Sequence, residues 1–391
     1  MIWQTKKLGE VCEINMGQSP ASSTYNQNKK GLPFYQGKKD YGEIHPTPRV
    51  WCSEPIKIVE KDDILISVRA PVGALNIAEE KSCIGRGLTG LRANKSILDQ
   101  SYLYKFLKLK EKEISDKGTG STFTAISKKD IENLKIPLPP LEIQNKIVKI
   151  LDEKFAKIRE AKSLREEALA DTEKILSQNL REIFEDGKEK GWKEKKIGEI
   201  LHIKHGWAFK GEFFGKIGDI LLTPGNFKED GGLYFTDKNT KRYSGDFSHD
   251  LILVKNDLVI VMTDLSKECK ILGNPAIVGE KMLHNQRIGK IELLTKEITK
   301  EFLYYFFLTK NYKDLVKSTA TGTTVRHTAP SRIYNIKIQF PPLIEQKKIV
   351  ERLDALSGKL TGFRELQKSQ LVDFKKLKKS YLREAFNGEL I

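Results

Sequence analysis

Four cysteines, Cys12, Cys52, Cys83 and Cys269, stand far apart in 391 residues. Such spacing supplies neither a disulfide framework nor a zinc cluster, and it fits a reducing cytosol. No run of about 18 apolar residues occurs, so no membrane-spanning helix is expected. The opening stretch, Met1 to Glu10, lacks the apolar core of roughly 7–15 residues that a secretory leader needs. No G-x-x-x-x-G-K-[ST] phosphate loop is present, and no Ser/His/Asp or Cys/His arrangement stands out. What the chain has is charge: 68 Lys+Arg against 52 Asp+Glu, a formal net charge of +16. Charged residues make up 31% and the apolar set 39%, enough for cores beneath a highly charged surface. The length suggests two or three domains, and the positive excess points to a polyanion such as nucleic acid.

The chain repeats itself, and a repeat decides the fold class. Trp3-Gln-Thr-Lys-Lys-Leu8-Gly9-Glu10 recurs as Trp192-Lys-Glu-Lys-Lys-Ile197-Gly198-Glu199, and Gly17 matches Gly206. Asp62-Asp63-Ile64-Leu65-Ile66 recurs as Asn256-Asp257-Leu258-Val259-Ile260, and Leu103-Tyr104-Lys-Phe106-Leu107 as Leu303-Tyr304-Tyr-Phe306-Phe307. Gly120-Ser-Thr-Phe123 matches Gly322-Thr-Thr-Val325. The closest agreement is Pro139-Pro140-Leu141-Glu-Ile-Gln144-Asn-Lys-Ile147-Val148 with Pro341-Pro342-Leu343-Ile-Glu-Gln346-Lys-Lys-Ile349-Val350. Leu180-Arg-Glu-Ile-Phe184 then returns as Leu382-Arg-Glu-Ala-Phe386. The offset drifts only from 189 to 202, so two copies of one unit separated by short insertions are expected.

Each copy opens with a mixed α+β globule. Ile64 to Val68 and Leu258 to Met262 read as strands, bounded by the turn signals Pro71-Val-Gly73 and Gly273-Asn-Pro275. Asp99 to Glu113 and Lys300 to Lys317 read as helices. Each copy closes with a long helix. Residues 141–185 hold no Pro or Gly, and residues 343–387 hold only Gly358 and Gly362. Apolar residues at 3/4 spacing run through both: Ile147, Leu151, Ile158, Ala161, Leu164/Ala168, Ile175, Leu176, Leu180 and Ile183, then Ile349, Leu353, Leu356, Leu360, Phe363, Leu366, Phe374, Leu377 and Tyr381. The Pro-Pro pairs suit helix starts, and Gly187 and Gly388 suit the stops. Forty-five helical residues span about 68 Å. A stripe that long needs a partner, and the nearest is the other helix read antiparallel. The expected fold is α+β: two globules joined by two long helices in an antiparallel coiled coil, with an internal pseudo-two-fold symmetry. Gly358 and Gly362 predict a bend or a partner contact in the second helix, at about 1 kcal/mol each.

Charge follows this division. Residues 1–140 carry 22 basic and 16 acidic groups; residues 186–342 carry 26 and 19. The first helix carries 9 and 10, the second 11 and 6. Two basic globules suit a duplex gripped at two places, with phosphate contacts supplying affinity and base contacts supplying sequence choice. Polar, aromatic and basic residues gather in turn-rich stretches. In the first globule these are Gln36, Lys38, Lys39, Tyr41 and Arg49, with Arg69 and Arg86. In the second they are His205, Trp207, Lys210, Asn226, Lys228, Tyr234, Lys241, Arg242 and Tyr243, with Asn285, Gln286, Arg287, Arg326 and His327. Asn and Gln read adenine by paired hydrogen bonds, and Arg reads guanine similarly.

Other motifs carry chemistry only in outline. Gly85-Arg-Gly87-Leu-Thr-Gly90 spells G-x-G-x-x-G, but Leu91-Arg-Ala-Asn-Lys is a poor helix start and the second copy lacks two of the glycines. A loop that needs glycine is the better account. Asp63 with Glu79-Glu-Lys81, and Asp257 with Glu268-Cys-Lys270, have nuclease-like spacing but do not align with each other. His202 and His205 form H-x-x-H without a third ligand, so no metal site is expected. Leu138 and Phe340 precede the Pro-Pro pairs, unlike the Asn/Asp-Pro-Pro-aromatic loop of amino-methyltransferases.

The duplicated Pro-Pro-Leu-x-x-Gln-x-Lys-Ile-Val phrase, the Trp-x-x-Lys-Lys-[Leu/Ile]-Gly-Glu openings and the Gly-[Ser/Thr]-Thr stretches resemble the specificity subunit of Type I restriction-modification systems. The resemblance covers essentially the whole chain. It implies target recognition domains at 1–140 and 186–342, each reading half of a bipartite asymmetric DNA site. Conserved helical regions at 141–185 and 343–391 would space the half-sites and dock the partner subunits. It implies no catalysis and no cofactor in this chain. A modification subunit would methylate adenine with S-adenosylmethionine, and a restriction subunit would use ATP and Mg2+ to translocate and cleave. Pro139, Pro140, Gln144, Pro341, Pro342 and Gln346 match the family phrase, and the role it implies for them is structural. A cytoplasmic prokaryotic protein without membrane contact is expected. Two other classes stay open: a coiled-coil protein-interaction scaffold without sequence-specific DNA binding, and a nuclease.

Overall fold

The structure, a computed structural model, describes residues 3–118, 125–185, 190–266 and 268–391. The repeat segment Gly120–Phe123 and the helix stop at Gly187 lie outside the described residues. The chain divides into two compact units, residues 1–165 with 368–391, and residues 166–367. The division cuts through both long helices rather than at their ends.

In the first unit, strand Thr5–Lys7 pairs antiparallel with Lys135–Pro137 and ties the start of the globule to its end. Between them, an antiparallel sheet runs in the order Cys12–Met16, Leu88–Ala93, Ile64–Ser67, Leu75–Ile77. A second sheet is ordered Tyr25–Asn26, Trp51–Cys52, Leu32–Tyr35, Ser82–Ile84, Ile58–Val59, with one parallel pairing, Leu32–Tyr35 to Ser82–Ile84. Ile64–Ser67 is buried along its whole length, which is why it reads as an unbroken apolar run. Helix Gln100–Asp116 starts at Asp99, whose carboxylate accepts the Tyr102 N–H at 2.8 Å. Its Tyr102, Leu103, Phe106 and Leu107 complete the core.

The second unit repeats the plan. Lys193–Lys196 pairs with Lys337–Phe340. The four-stranded sheet runs Leu201–His205, Ile288–Leu293, Leu258–Val261, Pro275–Ile277. A five-stranded sheet again contains one parallel pair, Asp219–Leu222 with Met282–His284. One element departs from expectation. The helix read over Lys300 to Lys317 is two helices, Lys300–Leu308 and Lys310–Ser318, broken at Thr309. The Thr309 hydroxyl donates to the Phe306 carbonyl at 2.7 Å, and Thr309 caps the next helix, a local alternative to continuing the first.

The long helices span Leu141–Glu185 and Leu343–Asn387. Each is anchored at its start by a fully buried glutamine. The Gln144 oxygen accepts the Asp99 N–H at 2.8 Å; its amide donates to the carbonyls of Ile97 and Pro139 at 2.9 and 2.8 Å. Gln346 does the same with the Thr299 N–H at 3.0 Å and the carbonyls of Glu297 and Pro341, both at 2.8 Å. Two turns on, Asp152 binds the Lys105 ammonium, and its counterpart Asp354 accepts the Tyr305 hydroxyl at 2.5 Å.

Each unit buries the start of one long helix beside the end of the other, so the two run antiparallel within it. In the first, Ile147 and Leu151 share a core with Leu382, Ala385 and Phe386. The Phe386 ring lies 4.9 Å from Tyr102 and 5.4 Å from Phe106. In the second, Val350 and Leu353 share a core with Leu180 and Ile183, and Phe184 lies 5.1 Å from Phe302. Gly388, at φ 79°, ends the second helix in the left-handed region.

The seam between the helices is narrower than the apolar spacing suggests. Leu164, Ile175, Phe363, Leu366 and Leu377 are exposed, whereas Ile158, Thr172, Leu360 and Gln367 are buried. Two helices hide only a thin stripe of each other, and a residue one or three places off that stripe turns outward. The seam is part polar: Arg364 Nε donates to Thr172 Oγ1 at 2.8 Å, and Arg352 donates to Asn179 at 3.1 Å. The helix runs unbroken through Gly358 and Gly362. Both are exposed, with open space where a Cβ would stand, so these glycines interrupt nothing.

The anchoring glutamines carry a testable cost. Gln144→Ala leaves one buried N–H and two carbonyls without their partner, and a loss of about 2–4 kcal/mol is expected in chemical denaturation. Gln346→Ala should match it, with hydrogen exchange rising in the second unit rather than the first.

Candidate nucleic-acid interface

In the first unit, several loops meet at one end of the four-stranded sheet. The Gly17 N–H donates to Leu88 O at 2.9 Å and the Gln18 N–H to Ile84 O at 3.1 Å. Gly85 N–H donates to Tyr35 O at 2.8 Å, Val68 N–H to Gly87 O at 2.9 Å, and Arg86 N–H to Ser19 Oγ at 3.3 Å. Loops 17–19, 36–41, 69 and 85–87 therefore converge. The glycines are there for close approach: a Cβ on Gly87 would stand 2.1 Å from Gln36 O, and one on Gly17 2.2 Å from Gly85 O. The chain leaves this G-x-G-x-x-G as strand Leu88–Ala93, so no helix N-terminus faces it and a dinucleotide turn is not formed.

Arg69, Arg86, Lys38 and Lys39 project from this end as exposed side chains, and Gln36 is half-buried. The Asp40 carboxylate fixes the lysine turn by accepting the N–H groups of Gln36 and Gly37 at 2.8 and 3.3 Å. Arg49 is exposed but donates to Lys39 O at 2.5 Å, so it braces the loop. The Tyr41 hydroxyl is buried, which pushes its pKa well above the ordinary value and turns the group away from any ligand.

The second unit builds the same end with other side chains. Trp207 N–H donates to His284 O at 2.9 Å and Gln286 N–H to Trp207 O at 3.0 Å. Met262 N–H donates to Arg287 O at 2.8 Å, Thr328 N–H to Met262 O at 3.0 Å, and Thr263–Asp264 pairs with Arg326–His327. His205, Trp207, Gln286, Arg287 and His327 are thereby brought together and exposed, Trp207 to 62%. Arg326 is half-buried, and Lys210 is exposed on the following loop.

Three candidates turn out to be structural. Asn226 is fully buried: its oxygen accepts Thr223 N–H and Oγ1–H, both at 2.9 Å, and its amide donates to Asn239 O at 3.1 Å. It closes the turn that Asp40 closes in the first unit, and cannot reach a base. Asn285 is buried, with its oxygen accepting the Arg287 N–H at 3.0 Å; it shapes the loop that Gln286 and Arg287 project from. Arg242 donates to Gly218 O at 2.9 Å and holds a turn. Lys241 lies over the Phe214 ring on the five-stranded sheet, and Lys228 is exposed in the turn before Gly231-Gly232. Gln18 was not among the candidates. It is exposed at the first unit's loop end, and its match with Trp207 follows from aligning Gly17 with Gly206.

The nuclease-like carboxylates have other work. Asp63 receives Arg92 Nε and Nη2 at 2.8 and 2.7 Å; its counterpart Asp257 lies 2.7 Å from Lys290 and 3.5 Å from Lys300. His202 and His205 are three apart on strand Leu201–His205 and point to opposite faces; His202 meets the Tyr334 hydroxyl at 3.2 Å. No group of His, Cys, Asp and Glu among the described residues could hold a metal ion. No described helix is long and apolar enough to cross a membrane.

Two α+β globules with equivalent loop ends of different composition, each set on paired long helices, define a duplicated recognition protein. The model of the Type I restriction modification DNA specificity domain matches residues 2–168 and 189–372, and the chain belongs to that family. It is 24% identical to the Type I restriction enzyme MjaVIII specificity subunit of Methanocaldococcus jannaschii over 99% of this chain and 93% of that protein. A protein of the same organism assigned as the MjaX specificity subunit is 49% identical over 151 residues, 38% of this chain and about a third (36%) of that relative's length. Among solved structures, a chain from a study of complex assembly and conformational transition in the Type I R-M system superposes with a TM-score of 0.79. Its identity is 20%, over 99% of this chain and 98% of that one. The HsdS subunit from Thermoanaerobacter tengcongensis gives 0.58, also at 20% identity, over 99% and 97% of the two chains.

The loop end of the second unit carries a pH dependence. His284, which precedes Asn285, is buried with Nε2 2.9 Å from Ile288 O, and burial pushes its pKa down to about 4. The folded state therefore disfavours the proton that the unfolded chain takes up below about pH 6.5. Stability from this group is present above pH 6.5 and is lost as pH falls toward 4, about 3 kcal/mol in all. Urea unfolding at descending pH should show that extra loss in the wild type and not in His284→Asn.

Proposed function

We propose that this chain is the non-catalytic DNA-recognition subunit of a Type I restriction-modification complex, each globule reading one half of a bipartite asymmetric site. One observation carries the reading. The two units fold the same loops to the same end of the same sheet, yet offer different readers there: Arg69 and Arg86 in one, Trp207, Gln286, Arg287 and His327 in the other. One scaffold with two sets of side chains is what an asymmetric split site requires. Lys38, Lys39, Lys210, Lys228 and Lys241 serve as phosphate contacts in this reading, which supply affinity rather than sequence choice.

The long helices space the half-sites and dock modification and restriction subunits. Exposed apolar side chains on them support this, since Leu164 and Ile175 recur at the equivalent positions Leu366 and Leu377. Methyl transfer from S-adenosylmethionine, and ATP- and Mg2+-dependent translocation and cleavage, belong to those partner subunits in the cytoplasm of a prokaryotic cell.

Selection of bound sequences from a random duplex pool tests the reading. A split, asymmetric motif with an unread spacer is expected; no enriched motif would favour a protein-interaction scaffold. Exchange of residues 1–140 for those of a relative should change one half of the motif and leave the other intact. Arg287→Ala should cost about 1–3 kcal/mol of discrimination in the opposite half only, read by competition with base-substituted duplexes.

A further inference from the structure

The first unit contains a groove of about 1000 Å3 between helix Gln100–Asp116, the long-helix segments and the loop at Glu43–Ile44. Seven cationic and three acidic side chains line it, an excess of four positive charges. Two of the acids are already answered: Asp152 binds Lys105, and Glu111 lies 3.6 Å from Lys108. Arg159, Lys375, Lys378 and Lys379 have no ion pair among the described residues. Lys378 sits over the Phe155 ring at 5.7 Å, half-buried, and burial beside Arg159 and Lys162 lowers its pKa. Cations crowded in this way gain from an anion that the chain itself does not supply.

The second unit does not repeat this set of cations. At the matching positions it has Glu173, Leu176 and Ser177 for Lys375, Lys378 and Lys379, Thr361 for Arg159, and Leu308 for Lys108. Its hollow beside Tyr304, Tyr305 and Asp354 holds about 310 Å3, with Glu301 and Asp354 as the charged lining. A role in the fold common to both copies would keep the lysines in both.

We infer that the groove between helix Gln100–Asp116 and the long helices binds the phosphate backbone of duplex DNA, without reading its sequence, beside the half-site of the first unit. A ladder of cations at i, i+3 and i+4 on one helix suits a repeating polyanion. The rim favours DNA over an acidic protein segment. Glu43, Ile44 and Val72 belong to the two loops that carry Lys38, Lys39, Arg49 and Arg69, so a duplex on the recognition end passes the groove. The inference rests on the proposed DNA reading.

The test measures binding of the full chain to a labelled duplex bearing its selected site, and to a scrambled duplex, across a potassium chloride series. For K375Q/K378Q/K379Q, the slope of log affinity against log salt should flatten by about two to three. The ratio of selected to scrambled affinity and the melting temperature should stay unchanged. K347Q/K348Q/K359Q, with the same charge loss on exposed helix positions outside the groove, should keep the wild-type slope. An unchanged slope in the groove variant, or equal flattening in the control, overturns the inference. So does loss of co-purification with a modification subunit while the slope holds, which would assign the groove to an acidic protein surface. A wild-type chain that binds DNA without sequence preference sinks the recognition reading and leaves the groove standing; one that binds no DNA overturns both.

Discussion

A buried glutamine amide at the start of each long helix joins that helix to the globule before it. Gln144 and Gln346 each take one N–H and two carbonyls, and each ties the start of its long helix to the stretch that opens the preceding helix, 97–99 or 297–299. The helix is thereby fixed to the helix–sheet globule before it, and the preceding Pro-Pro pair restricts the approach. Three hydrogen bonds from one side chain keep the helix start from swivelling, and two turns on Lys105–Asp152 or Tyr305–Asp354 adds a further contact.

The second constraint is that neither globule is complete with its own helix. Phe386 fills the core beneath Tyr102 and Phe106, and Phe184 fills the one beneath Phe302 and Phe306. Each copy thus lends the end of its helix to the other's core. Burial of an aromatic ring, of the order of 2–3 kcal/mol, couples the stability of the two copies. The duplication is held in one chain for a physical reason: cut apart, each half would expose two apolar surfaces.

Much of this was legible in sequence. Pro-Pro-Leu-x-x-Gln marked both helix starts, and the repeat implied two like globules, because those features rest on local rules and spacing. What stayed hidden depends on surroundings. Asn226 and Asn285 look like adenine readers until their amides are seen closing turns, and the acid at the position matching Asn226, Asp40, was the available clue. Leu164 and Ile175 match the apolar period but miss the seam, since two helices hide less than a bundle does. Thr309 breaks a helix that propensity alone would continue.

Charge shows how duplication and function separate. Where the fold needs a residue, the copies agree: Gln144 with Gln346, Asp63 with Asp257, Phe184 with Phe386. At the loop ends and along the groove they diverge: Gln18 against Trp207, Gly87 against Arg287, Lys378 against Leu176. The net charge of +16 is therefore not an even coat. It concentrates on the two globules and on the second helix, whose lysines at 375, 378 and 379 fall beside the first unit's own Lys105, Lys108 and Lys112. Antiparallel pairing within the unit brings these residues together, although some 270 positions separate them in sequence. A basic surface that neither segment owns alone arises only from the helix returning to the globule where the chain began. That makes the charge pattern, like the cores, a property of the exchanged helices.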